Sequence, residues 1–489
     1  MKDMEEQVLP VSEIRSRAVT GSTVVVLRGV VVRLISFAGS LILARMLTPS
    51  DFGLVAVGFT LVAFASFLAD GGLGAALIRR PEAPTRLELE SLLGFQIALT
   101  LIMVGITAAV APIFGRAGIV TLVMVAALPI VTLQAPGSIL LERRLRYERR
   151  VLVELTESVA YTGTAIVAVA LGAGVWGLAG ATIARAVVGA VAMNVVTPVR
   201  VLRPRLRFRD VRQLLGFGAR YQAVGVVNLL RDQGLNLGVA AIGGLSALGL
   251  WNVAYRVMQV PFVVFEALWR VSFPAMARLI ALGQDARPAV RQILRVATVA
   301  NGFVLVGLAG ASPFLLGTLF GEPWQAASAV LAPACAGMLL SGPVSVAAAG
   351  YLYAIGDSRT MLRAVLLHTI AWLGLALPLL PVLGVAAIGY GWLASGVVEA
   401  LVLGHALHKV SGVATIPIVW RSTLTALVAA TGGMLLATSL PAGLSGAVAG
   451  GTLAEVLFLL GVLVLDRAPL RRLLSLARQG GQGMVTGSK

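Results

Sequence analysis

The sequence predicts an all-α polytopic membrane protein of about 14 transmembrane helices, on three observations. Of its 489 residues, 58% are hydrophobic and only 12% charged, against roughly 25% charged in an ordinary soluble domain. Apolar runs follow one another from Thr20 to Leu465, each long enough to cross a hydrocarbon layer of about 30 Å. The basic residues between them gather in every second connector.

The runs are read off in order. The first, 20–46, ends at the turn Thr48-Pro49-Ser50-Asp51, and the second is 52–70. A Gly-rich exit through Gly71, Gly72 and Gly74 leads into Arg79, Arg80 and Arg86, before runs at 91–114 and 119–141. The segment from Glu142 to Arg150 carries five arginines and precedes a run at 151–171. Gly172-Ala173-Gly174 then makes a tight break before 175–198. Six arginines from Arg200 to Arg212 separate this half from runs at 214–242 and 245–273, which meet at Gly243-Gly244. The remaining runs are 293–320, 324–353, 363–381, 388–408, 422–440 and 445–465, the last two split by Pro441-Ala442-Gly443.

Connectors on the side of the N-terminus, with both termini, hold 30 of the 39 Lys and Arg, while the opposite connectors hold only Arg45 and Arg116. Positive charge is retained on the cytoplasmic side, so both termini are expected there. An odd number of spans would scramble the alternation. The first run is too long and too charged for a cleaved leader and is expected to stay as the first span. No connector is long enough to build a core of its own, so the work of the protein belongs inside the membrane.

Several functions are excluded. The net charge of +17 sits in short topological connectors rather than on one basic face, so it answers to membrane lipids and not to nucleic acid. Cys335 is the single cysteine, so no disulfide forms within the chain. His405 and His408 stand three apart without a third ligand, and no metal is expected. No phosphate-binding glycine loop precedes a helix, and no cofactor is expected.

The stretch around the first turn recurs 196 residues later: Ala44 to Leu54 aligns with Ala240 to Leu250, Phe59 with Tyr255, and Asp70 with Glu266. A lobe used twice is a common transporter plan. The expected organisation is an N-terminal segment 1–19, a lobe at 20–198, a basic linker at 199–213 and a second lobe at 214–408. Two further helices occupy 409–465 and a basic tail 466–489.

Apart from Arg45, Arg295 and Arg363 at the run ends, which are counted with the connectors, seven arginines fall inside the runs: Arg28, Arg33, Arg185, Arg220, Arg231, Arg256 and Arg270. Each costs about 2.5–3.5 kcal/mol at mid-bilayer and needs a reason. Counting from the turns, Arg28 and Asp70 lie level, as do Arg220 and Glu266, which predicts two ion pairs at the cytoplasmic mouth. Deeper in, Asp232 lies level with Arg256, leaving Arg33, Arg185 and Arg231 without an obvious carboxylate. Arg220, Asn228, Asp232 and Asn236 recur at multiples of four, with Arg231 and Gln233 beside them, and make one face of the seventh helix polar. Surplus guanidinium charge suits an anionic ligand with phosphate oxygens, so Arg33, Arg185, Arg231 and Arg256 are the candidate substrate-binding residues. Asp232, with Glu154 and Glu157 one turn into the fifth span, are the candidates for ion coupling.

The pattern Leu43 to Leu54, followed by Asp70-Gly71-Gly72-Leu73-Gly74-Ala75-Ala76-Leu77-Ile78, resembles the N-terminal signature of bacterial polysaccharide transporters. These are lipid-linked oligosaccharide flippases within the multidrug/oligosaccharidyl-lipid/polysaccharide exporter superfamily. The resemblance implies two six-helix lobes around a central cavity, with the last two helices added. It also implies an inner-membrane protein that moves a polyprenyl-diphosphate-linked glycan to the periplasmic leaflet by alternating access, beside the polymerase and export machinery of its pathway. O-antigen, capsule and exopolysaccharide pathways all remain open. The alternatives are a cation-coupled multidrug or small-molecule exporter of the same superfamily, which would want an acidic cavity, and a membrane glycan polymerase or ligase, which would want a large outer loop.

Overall fold

The structure is a computed structural model that describes residues 11–80, 82–197 and 202–465, with side chains from residue 28 onward except those of 208–221, 223 and 224. The predicted tail 466–489 and the first ten residues lie outside it. Among the described residues the regular structure is wholly helical.

α1 (Val11–Ala44) and α2 (Pro49–Asp70) meet at the turn that the sequence marks. Thr48 and Asp51 cap α2 reciprocally: Thr48 Oγ1 accepts from the Asp51 N–H at 3.2 Å, and the Asp51 carboxylate accepts from the Thr48 N–H at 3.2 Å. Pro49 stands at the first helical position, where an N–H would have no partner. The Gly-rich exit is not a loop. Gly71 and Gly72, at φ 53° and 70°, reverse the chain into a short helix, α3 (Leu73–Arg79), which buries Leu73, Ala76 and Leu77. Arg143 closes its far end, donating to the carbonyls of Leu77 at 2.8 Å and Arg80 at 2.6 Å.

The predicted span 119–141 also departs from expectation. After α4 (Arg86–Val110) it is divided into α5 (Gly115–Val125), α6 (Leu128–Thr132) and α7 (Ala135–Arg143). Pro129 and Pro136 sit at the starts of α6 and α7, where a missing N–H is harmless but a continuing ladder is impossible. The joints tighten to three-residue bonds, Ala127 N to Met124 O and Leu133 N to Ile130 O, each 3.2 Å. α8 (Tyr147–Ala170) and α9 (Val175–Val196) follow, joined through Gly172 and Gly174 at φ 88° and 55°.

The two spans predicted to meet at Gly243-Gly244 are two helices that break there, with Gly244 non-helical at φ 78° and ψ 178°; the whole stretch Phe208–Ala281 is called α10. The chain divides into two compact units, residues 1–240 and 241–489, so the boundary falls inside α10. In the first unit α1 packs on α8, α8 on α9 and α2 on α5. The first part of α10 is tied to α2 by polar contacts: Gln222 Nε2 donates to Asp70 Oδ2 at 3.2 Å, and Asn236 Nδ2 to Thr60 Oγ1 at 3.4 Å.

The second unit adds α11 (Arg287–Phe320), α12 (Leu331–Ala354), α13 (Ser358–Leu383), α14 (Ala386–Ser411), α15 (Ile416–Ser439) and α16 (Leu444–Leu465). Small residues let α11, α15 and α16 cross closely, as membrane helices do. A methyl group on Gly450 would lie 2.6 Å from the backbone oxygens of both Gly310 and Gly433. Elsewhere Val290, Leu294, Val344, Leu352, Leu403 and Leu407 form a buried apolar core.

Eleven helices among the described residues are long and apolar enough to cross a membrane. Two of these, Arg86–Thr132 and Gly225–Ala281, each run through more than one predicted span.

Candidate functional site

In the first unit, α8 carries two acidic residues inside its length rather than at its edge. It begins at Tyr147, four residues before the predicted span, so Glu157 is ten residues in, or about 15 Å along the axis. Arg185 is likewise ten residues into α9, and its Nη2 lies 3.4 Å from Glu157 Oε2. Arg185 thus has a carboxylate after all. Counting depth from the predicted end of the span had placed Glu157 too close to the interface. Glu157 is 12% exposed and Arg185 52%, so the carboxylate is seated while the guanidinium reaches out.

Gly189, one turn beyond Arg185, makes room for this pair. A methyl group there would overlap the Glu157 carboxylate and the Gln134 amide. Gln134 stands at the joint between α6 and α7, and its Nε2 is buried without a hydrogen-bond partner.

Glu154, one turn earlier, is the centre of a second cluster. It accepts from Arg28 on α1 and, at 3.1 Å, from Arg150 Nε on its own helix. Arg150 Nη1 also donates to Glu142 Oε1 at 2.5 Å and to Ser138 Oγ at 2.7 Å. The expected pairing of Arg28 with Asp70 is therefore not the one formed. Level positions on consecutive helices do not guarantee contact, and α1 lies against α8. Asp70 instead accepts through Oδ2 from the Gly72 N–H at 3.1 Å and from Gln222.

Beside this cluster is a cavity of about 480 Å³, walled by Asp70, Arg79, Gln96, Ser138, Glu142 and Arg150 among others. It belongs to the first unit alone.

On α10, Arg231 Nε lies 2.7 Å from Asp232 Oδ1. Sequence neighbours on a helix diverge by about 100°, which argued against this pair, but the long arginine side chain folds back to reach. Asn236 bonds Gln233 at 3.2 Å as well as Thr60; Asn228 and Arg33 are exposed. The side chain of Arg220 lies outside the described residues.

In the second unit Arg256 is half-buried, and Glu266 pairs with Arg270 at 2.7 Å, one turn along α10. A group missed by sequence reasoning lies here. His368 Nδ1 on α13 is 3.0 Å from Glu399 Oε2 on α14, and Ser345 Oγ on α12 donates to Glu399 Oε1 at 3.0 Å. The ring of His368 meets the edge of Trp372, which packs on Trp392 with centroids 4.9 Å apart. Glu399 was legible as the one acid in an apolar run, as Gln96 was among its neighbours. Spacing alone did not say what either would meet.

With this geometry in hand, similarity to known proteins decides the family. A model of the polysaccharide biosynthesis protein family matches residues 42–329. The chain belongs to this family. Along 89% of its length it is 25% identical to the succinoglycan biosynthesis transport protein ExoT of Rhizobium meliloti, covering 91% of that protein. It is also 25% identical to the lipopolysaccharide biosynthesis protein WzxC of Escherichia coli over 335 residues, covering 66% of this chain and 67% of that one. In fold, it superimposes on the lipid II flippase MurJ in an inward closed conformation, with a TM-score of 0.69 at 13% identity, covering 90% of this chain and 98% of MurJ. An inward-facing multidrug resistance transporter of the MATE family shares the fold more loosely, with a TM-score of 0.57 at 19% identity, covering 78% of this chain and 96% of that one.

Proposed function

We propose that this family member is a flippase of the bacterial inner membrane. It moves oligosaccharide units linked to a polyprenyl diphosphate from the cytoplasmic to the periplasmic leaflet, for a cell-surface polysaccharide. It is a transporter and not an enzyme. The observation that carries this reading is the similarity to a named polysaccharide transport protein along nearly the whole of both chains. The termini are cytoplasmic, by the distribution of arginine.

Arg33, Arg185 and Arg231 of the first unit are the diphosphate ligands of this proposal, and Arg256 the candidate of the second. Two of them reach their ligand by exchange. Arg185 and Arg231 rest on Glu157 and Asp232, and a diphosphate offers more acceptor oxygens and more charge than either carboxylate. The carboxylates released by that exchange, with Glu154, are where a coupling proton or cation would enter. The polyprenyl tail stays in the bilayer, and the site opens to each leaflet in turn.

The test measures lipid-linked oligosaccharide by leaflet, in a strain lacking the gene, with a sugar-cleaving probe on intact spheroplasts. Accumulation confined to the cytoplasmic leaflet is expected, and Arg231→Ala should reproduce it at normal membrane abundance. Equal labelling in deleted and parental strains would reject translocation, leaving a step after flipping.

A further inference from the structure

We infer that the cavity in the first unit is a binding site for a neutral sugar unit. The inference rests on the flippase reading for its biological meaning, but the chemistry of the walls stands alone. The cavity, about 480 Å³, falls in the size range of small-molecule sites. Its charged lining is balanced: Asp70 and Glu142 against Arg79 and Arg150.

That balance decides what fits. A phosphate would face two carboxylates, and a metal cation would face two guanidinium groups. A sugar hydroxyl both donates and accepts, so it is served by a wall that offers each. Asp70 uses Oδ2 for Gly72 and Gln222, while its other oxygen lies toward Gly74, which also lines the cavity. Ser138 accepts from Arg150 and keeps its own proton to give. Arg150, held by Glu142 and Glu154, is already fixed in place.

The observation that points to a ligand is Gln96. It lines the cavity, is 4% exposed, and its Oε1 has no hydrogen-bond partner. An acceptor buried without a partner costs about 1–3 kcal/mol. Oε1 itself is sealed from water, so a hydroxyl in the cavity removes that cost once the Gln96 amide turns to face it. No structural neighbour does so: Gln96 sits on α4 facing α7, whose nearby lining residues include Ala135 and Ile139.

The test uses the purified full-length chain in lipid nanodiscs and saturation-transfer NMR, with glucose, galactose and N-acetylglucosamine as probes, and inorganic diphosphate as competitor. At least one sugar should receive saturation, and excess diphosphate should not displace it. Gln96→Leu and Ser138→Ala should each weaken binding about three- to ten-fold, the worth of one neutral hydrogen bond, with the melting temperature checked for both. Gly180→Ala, whose added methyl group would meet nothing within 4 Å, should leave it unchanged. A folded protein that saturates none of the sugars overturns the site, as does displacement by diphosphate or full binding in both cavity variants. Sugar binding alongside equal leaflet labelling in the deletion strain would sink the flippase reading and leave this site standing. Loss of translocation without sugar binding would do the reverse.

Discussion

Arg28 on α1 donates to Glu154 on α8, 126 residues further along the chain, and Arg150 holds the other oxygen of the same carboxylate. One acid thus anchors two arginines inside a membrane helix. Glu154→Gln should lower stability by about 1–2 kcal/mol, the scale of polar contacts between membrane helices, because two guanidinium groups lose their counter-charge. Adding Arg28→Met should recover part of that loss. A double-mutant cycle by thermal unfolding in detergent reads the coupling, and strictly additive losses would mean that the pair contributes nothing.

Gly189 is the space into which the Arg185–Glu157 pair fits. Gly189→Ala would push a methyl group into the carboxylate and into Gln134, an overpacking cost of about 1–3 kcal/mol. Gly180, on the same helix, has nothing within 4 Å of its would-be methyl. Polysaccharide export should therefore fall in Gly189→Ala and persist in Gly180→Ala, with membrane abundance followed by immunoblot.

The crossing of α11, α15 and α16 depends on bare backbone. Gly450→Ala meets two carbonyl oxygens at 2.6 Å, and neither can swing away as a side chain would. The expected result is cleavage by added protease within the connector before α15 at a lower temperature than in the parent, with the loss worth about 1–3 kcal/mol. An unchanged protease profile would show that the helices tolerate separation.

Asp357 caps α13 from the connector, accepting from the Thr360 hydroxyl at 2.6 Å and the Thr360 N–H at 3.1 Å. Those bonds, the hydroxyl first, hold its carboxyl below its ordinary value of 3.8. A depressed folded value means that the unfolded chain binds the proton more readily. The stabilisation is therefore complete above about pH 4 and is lost as pH falls through the lower folded value. Asp357→Asn keeps a cap without the charge, so its melting temperature should fall less than the parent's between pH 5 and pH 3. Parallel curves would remove Asp357 from the acid response.

Much of the fold was legible because a bilayer leaves few choices. Backbone polar groups must be satisfied within each segment, so long apolar runs become helices, and Thr48, Pro49 and Asp51 declare a helix start by their chemistry alone. The breaks were less legible. Pro129 and Pro136 permitted either a kinked span or three pieces, and the packing around them selected the pieces. Gly243-Gly244 was the exception: the helix breaks there, at a φ of 78° that glycine adopts without strain.

For the candidate site, residue types were readable and partnerships were not. The sequence by itself determined that charged groups stand inside apolar helices, since burying Arg185, Arg231, Glu154 or Asp232 is costly enough to require a purpose. Only the tertiary structure decided that Arg28 takes Glu154, that Arg185 takes Glu157, and that Gln96 Oε1 has no hydrogen-bond partner beside a cavity. The physical reason is that depth in the membrane is a one-dimensional coordinate carried by position in the chain. An ion pair also needs two helices to face each other, and that is set by how all the helices pack.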